Sequence, residues 1–184
     1  MRPLLSVGSF LGLSIALATT ASACGNPDRT ELLAVYEAPG GEYRLWYQDP
    51  PWTLVLAVDD QLNLEIEANG TRFGDVPVGA VPPKYALEVT TARGSAENQA
   101  RLQEGAALAA GHDVLVPTRE FTTFEGATGW EMITNHTATD GSRFERFVYV
   151  ERSAGVVHLH FDSSADLRDP QVDVMIADLE VDVE

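Results

Sequence analysis

Three side chains spaced two apart, His158, His160 and Asp162, form the clearest pattern for chemistry in this sequence. On a β-strand alternate residues share a face, so the two imidazoles and the carboxylate project together. Val157, Leu159 and Phe161 then point the other way. Histidine and carboxylate donors arrayed like this can ligate zinc or a similar metal. A preceding strand over 143–151, folded back through Gly155, would line the same face with Glu145, Phe147 and Tyr149, adding a carboxylate and aromatic walls. The competing reading leaves the histidines half-buried among aromatics beneath a helix.

The other two histidines read as structural. His112 follows Gly111 at a predicted helix end, where a cationic side chain favours the helix dipole. His136 precedes an Asp140-Gly141 turn and reads as a solvated strand end. No H-E-x-x-H pair, G-x-S-x-G elbow or phosphate-binding loop occurs. Asp59-Asp60 lacks the glycine and terminal glutamate of a calcium-binding loop. Carboxylates are plentiful but scattered, so no acid/base pair stands out. The sequence therefore nominates no catalytic residue, and no cofactor beyond a zinc-class ion on the His158/His160/Asp162 face.

The elements that must hold these residues are mostly strands. Segments 42–48, 53–58, 62–67, 85–90, 120–124, 129–137, 143–151 and 156–163 carry strand patterning, separated by Gly, Pro and Asp-Gly turns. Leu62, Leu64 and Ile66 alternate with polar residues and form a hairpin with 53–58 across Asp59-Asp60-Gln61. The stretch 70–83 is a Gly- and Pro-rich loop. Ser95 caps a predicted helix to about Ala110, closed by Gly111, with Leu102, Ala106 and Ala109 on its inward face. Asp169-Pro170 opens a second helix whose inward face is Val172, Met175, Ile176 and Leu179. Strands dominate and the helices are separated along the chain, which predicts an α+β fold around an antiparallel sheet. Trp46, Trp52 and Trp130 are expected as core anchors.

Bulk composition sets the surroundings. The 184 residues suit one domain plus a removable segment, and 45% hydrophobic with 22% charged is ordinary globular composition. Twelve Lys+Arg against 28 Asp+Glu give a formal net charge of -16, which repels nucleic acid and anionic lipid headgroups.

The first 23 residues read as an export signal. Arg2 supplies a positive start, Pro3 to Ala18 is uncharged and apolar, and Thr19 to Ala23 is small. A membrane span needs about 20 apolar residues; Pro3, Ser6, Gly8, Ser9, Gly12 and Ser14 interrupt this one, so cleavage is the expectation. Ala21-Ser22-Ala23 satisfies the rule for ordinary secretion, while Ala21-Ser22-Ala23-Cys24 also resembles the lipobox of bacterial lipoproteins, with Ala21 where Leu is usual. Cys24 is the only cysteine. A lone thiol has no disulfide partner in an exported protein but has a purpose as a lipid attachment point, and lipidation there removes it from thiol catalysis. Loss of Arg2 takes the mature charge from -16 to -17. Residues 24–30 form a lipidated tether and residues 31–184 a single domain. In a cell with two membranes, Gly25 after the cysteine resembles the class released to the outer membrane.

The order of elements resembles the PsbP-like superfamily, whose bacterial members include DcrB- and LpqN-type lipoproteins. The resemblance spans roughly Tyr43 to Leu179. It is carried by Tyr43 to Trp52 with Asp49-Pro50-Pro51-Trp52, by the mid-chain helix followed by Gly126-Ala-Thr-Gly-Trp130, and by the closing helix from Asp169-Pro170 to Leu179. It implies an αβα sandwich and interaction or accessory roles rather than catalysis; no family-wide site motif transfers. The leading expectation is a non-enzymatic, lipid-anchored cell-envelope module with a protein partner in the envelope. The alternative is a small-ligand or metal-binding protein, hydrolases included, built on His158, His160 and Asp162.

Overall fold

Alternating apolar and polar residues give this chain sheets with two distinct faces, and the helices that cover those faces decide what stays open. The computed structural model describes residues 34–48, 52–59, 61–66, 85–138, 141–164 and 170–183. The export segment, Cys24, the tether, the 70–83 loop, Asp49-Pro50-Pro51 and Asp169 lie outside the described residues. The chain runs through β1 (Ala34–Glu37), β2 (Tyr43–Tyr47), β3 (Thr53–Val58), β4 (Gln61–Ile66), β5 (Tyr85–Ala92), α1 (Ala96–Ala109), β6 (Asp113–Thr122), β7 (Thr128–Ala138), β8 (Gly141–Arg152), β9 (Gly155–Ser163), α2 (Pro170–Ala177) and β10 (Glu180–Val181). Seven strands form one sheet in the order β3-β4-β5-β9-β8-β7-β6, and β1, β2 and β10 form a second. All the described pairings are antiparallel, so the architecture is α+β, mainly sheet, with two short helices packed on it.

One face of the large sheet carries the main core. Leu62, Leu64, Leu87, Val89, Val157, Leu159, Phe161, Val148 and Val150 meet Tyr43, Leu45 and Tyr47 of β2 and the apolar side of α2. Val172, Met175, Ile176 and Leu179 are all buried, as their spacing predicts. Each such side chain contributes about 1.5–3 kcal/mol on burial, which offsets the weak helical tendency of an eight-residue segment. Trp52 is buried in this core, whereas Trp46 and Trp130 are only partly covered.

α1 lies on the opposite face, and here the expected orientation is wrong. Leu102 is 69% exposed, Ala106 and Ala109 also face outward, and the buried positions are Ala96, Ala100 and Ala107. The floor beneath the helix is already filled by Met132, Phe147, Tyr149 and Val156, so only small side chains let the helix approach. Ser95 Oγ accepts from Asn98 N–H at 3.3 Å, and Glu151 Oε1 accepts from Ala96 N–H at 2.7 Å, fixing the helix start.

The strand expected at 120–124 is also longer and earlier, running from Asp113 to Thr122. Pro117 lies inside it. β6 is an edge strand with register shifts between Val114 and Val116 and between Val116 and Arg119, the setting in which a strand proline is tolerated.

Candidate functional site

β9 delivers its alternation as the sequence predicts: Val157, Leu159 and Phe161 are buried in the core, and His158, His160 and Asp162 occupy the other face. The β8–β9 register sets Tyr149 opposite His158, Phe147 opposite His160 and Glu145 opposite Asp162. Each of these histidines therefore lies flat against an aromatic ring. His160 stacks on Phe147 at 4.5 Å and 8°, and His158 stacks on Tyr149 at 4.5 Å and 6°.

The three predicted ligands share this face without forming one ligand set. His158 Nε2 is buried and makes no hydrogen bond. Burial, helped by the neighbouring His160 charge, pushes its pKa down to about 4, so the ring is neutral at pH 7. Asp162 is drawn to Arg143, whose Nη2 lies 3.0 Å from Oδ1. Burial raises the Asp162 carboxyl above its ordinary range, against the pull of Arg143. His160 turns instead towards Glu145.

Glu145 is the centre of the arrangement. Its Oε1 lies 3.2 Å from His160 Nε2, and its Oε2 lies 3.2 Å from His136 Nδ1 and 3.7 Å from His112 Nδ1. Thr134 Oγ1, directly across on β7, donates to Oε2 at 3.5 Å. Burial pushes the Glu145 pKa up. The hydrogen bond from His160 and the charges of His160, His136 and His112 outweigh burial and hold it below the ordinary range. All four histidines of the chain thus lie on or over one sheet face, three of them around a single carboxylate.

Neither His112 nor His136 behaves as its local sequence suggests. After Ala109 the chain closes α1 with a Schellman turn: Gly111 N–H reaches Leu108 O and His112 N–H reaches Ala107 O, both at 3.0 Å, with Gly111 at φ +80°. That turn reverses the backbone at Gly111 and presents the His112 side chain to the sheet rather than to the helix carbonyls. His136 is not a solvated strand end; it stacks against His112 with ring centroids 4.3 Å apart and planes 14° from parallel. One ring nitrogen each of His112 and His136 and a Glu145 carboxylate oxygen lie within 4.8 Å of one another, and among the described residues this is the set of three that could hold a metal ion. The signal was present in the β7–β8 hairpin. Pairing of Ala138 with Gly141 at its closed end puts Thr134 opposite Glu145 and His136 on the same face one pleat further along.

Beside Glu145 the face opens. A cavity of about 180 Å³ lies over β4, β5 and β9, lined by Asn63, Glu65, Ala86, Glu88, His160 and Asp162 among others. Helix α1 covers β6, β7 and β8 and leaves this corner uncovered by either described helix.

No protein-family model and no curated protein matches the chain. Among solved structures, a crystal structure of a protein from Bacteroides thetaiotaomicron superposes with a TM-score of 0.54 at 10% sequence identity, over 80% of this chain. The chain spans about half of that protein's length, 47%. At this identity the likeness concerns the fold alone, a mainly antiparallel sheet with helices packed on it.

Proposed function

We propose that this is an exported, lipid-anchored cell-envelope protein that binds a small ligand at the corner of its large sheet that neither described helix covers. The observation that carries the reading is the cavity beside His160 and Asp162, where a helix packed over those side chains would have closed it. Acceptor-rich walls and a volume of about 180 Å³ suit a ligand of a few heavy atoms or a hydrated ion. Cys24 supplies the tether in this reading, on the strength of its solitary occurrence and the small residues before it. The layering of α1, the seven-stranded sheet, and α2 with the small sheet supports the PsbP-like sandwich, a setting for binding and accessory roles rather than catalysis.

The test is native mass spectrometry of the protein released by detergent from the membranes of its own cells. A lipid-modified Cys24 and a non-covalent adduct lost in Ala86→Phe, which fills the cavity, are expected. An unmodified Cys24 removes the anchor, and an absent adduct, or one that survives Ala86→Phe, removes the cavity reading.

A second reading, the protein-interaction module, is favoured by β3. This edge strand carries no charge and exposes Leu54, Leu56 and Val58, with one margin outside the described ladder. Such an edge can accept another strand. Leu54 lies on the opposite face from the cavity, paired with Leu64. Leu54→Lys is therefore expected to release a co-purifying protein partner while leaving the adduct in place.

A further inference from the structure

We propose that His112, His136 and Glu145 bind one divalent transition-metal ion, with His160 as a positioning residue. The inference goes beyond the cavity reading, since none of the three ligands lines that cavity. Two imidazole nitrogens and one carboxylate oxygen are the donor set of zinc, copper, nickel and iron(II) sites; calcium and magnesium require oxygen. With metal–ligand distances of about 2.0–2.2 Å, tetrahedral ligand atoms lie roughly 3.3–3.5 Å apart. The two Nδ1 atoms sit 3.2 and 3.7 Å from Glu145 Oε2, close to the spacing that a shared ion imposes, and one ligand atom from each of the three residues lies within 4.8 Å of the others. His136 Nδ1 is buried and, although 3.2 Å from the carboxylate, makes no aligned hydrogen bond with it. The nitrogen is close enough for a common ion but is not oriented for a proton between them.

The supporting shell is also in place. A ligating carboxylate works best when its second oxygen is fixed. Glu145 Oε1 lies 3.2 Å from His160 Nε2, whose ring is clamped flat on Phe147. Two of the three ligands are on strands, β7 and β8, and the third is held by the Schellman turn at Gly111. One adjustment is required. The lone pair of an imidazole lies in its ring plane, so the stacked rings of His112 and His136, 14° from parallel, must splay by side-chain rotation to aim at one ion. Three protein ligands leave a fourth position for water or a small ligand, as in exchangeable or catalytic sites.

The experiment uses untagged residues 24–184 with Cys24→Ser, so that no thiol competes, titrated with Zn²⁺ by calorimetry and with Co²⁺ by visible absorption. One equivalent of Zn²⁺, a raised thermal midpoint and a tetrahedral Co²⁺ spectrum are expected. His112→Asn, His136→Asn and Glu145→Gln should each abolish binding in the titrated range, with the metal-free thermal midpoint and circular dichroism of each variant establishing that it folds. His160→Ala should weaken Zn²⁺ about 10–100-fold; His160→Gln, which keeps a donor to Glu145, should recover most of that loss. His158→Ala should bind within twofold of the parent. No Zn²⁺ heat from the parent overturns the proposal, as does parental binding by a folded His136→Asn or loss of binding in His158→Ala. Ala86→Phe separates the ion site from the cavity reading. Zinc bound normally by that variant supports the ion site whether or not the cavity is occupied, whereas a cavity adduct without zinc binding sinks the ion site alone.

Discussion

His158 makes the stability of this protein depend on pH in a direction that the structure fixes. Its ring is stacked at 4.5 Å on Tyr149, its Nε2 is buried without a hydrogen bond, and its pKa is pushed down to about 4 from the ordinary 6.5. Below pH 6.5 the unfolded chain takes up a proton that the folded chain refuses, so stability falls as pH drops towards 4. At 1.36 kcal/mol per pKa unit, the loss attributable to this ring reaches roughly 2–3 kcal/mol at pH 4.5. His158→Phe keeps the stacked ring and removes the titration. It also removes a buried nitrogen without a partner, which costs about 1–3 kcal/mol. The variant should therefore be at least as stable as the parent at pH 7.5 and should lose less on acidification. Urea unfolding of residues 25–184 followed by tryptophan fluorescence at pH 7.5, 6.0 and 4.5 measures both. The other titrating groups are common to the two proteins and cancel in the comparison. Equal losses in parent and variant between pH 7.5 and 4.5 would show that His158 is not buried as a neutral ring.

Further outcomes follow from the packing. Arg146 is buried, with its Nε 2.8 Å from Glu131 Oε2 and its Nη1 2.6 Å from Asp173 Oδ1. Arg146→Met takes away the partner of Glu131 Oε2 but leaves Arg119 Nε on Oε1 at 2.7 Å, so it should cost about 1–3 kcal/mol in urea midpoints. The small-residue face of α1 predicts that Ala100→Leu destabilises by about 1–3 kcal/mol. Leu102→Ser, on the exposed face, should stay within about 0.5 kcal/mol, both variants being compared with the parent by urea unfolding. Gly155 turns β8 into β9 at φ +134°, and a methyl group added there would collide with the Ala92 carbonyl oxygen. Gly155→Ala should therefore cost at least about 1–3 kcal/mol by differential scanning calorimetry.

Much of the large sheet was legible because its strands alternate cleanly and its turns are marked. Residues 53–58 have the bounds their pattern predicts, and β5, β7, β8 and β9 extend beyond expectation by no more than two residues at either end. α2 was legible because Val172, Met175, Ile176 and Leu179 fall on one helical stripe and bury against one side of the sheet. α1 misled because its large apolar side chains, Leu102 and Leu108, are exposed while alanines make the contact. Hydrophobic periodicity ranks residues by size, but the helix sits on a floor that rewards smallness. The short strands β1 and β10 exist through pairing with β2 rather than through any pattern of their own, and no local rule could find a two-residue strand.

For the site, parity explains what could be read and topology explains what could not. His158, His160, Asp162, Glu145, Phe147 and Tyr149 share a face because two strands meet through a tight turn, and that much follows from counting by twos. Which part of the face is covered depends on α1, the connection from β5 to β6. Those strands are four positions apart in the sheet, a separation of roughly 19 Å at about 4.8 Å per strand. Fourteen helical residues rise about 21 Å, so the helix spans most of the crossing and the short connections 93–95 and 110–112 make up the rest. It starts at the end of the sheet where Ala92 pairs with Val156, with Ala96 N–H bonded to Glu151, and finishes at the opposite end, where Asp113 pairs with Asn135. A diagonal crossing keeps α1 away from the corner at Ala86 and Asp162, and it drops the residue after the helix-ending glycine beside His136 and Glu145. The gathering of His112 with residues 24 and 33 positions later is therefore a consequence of helix length measured against sheet width, a quantity that becomes visible only once the strand order is known.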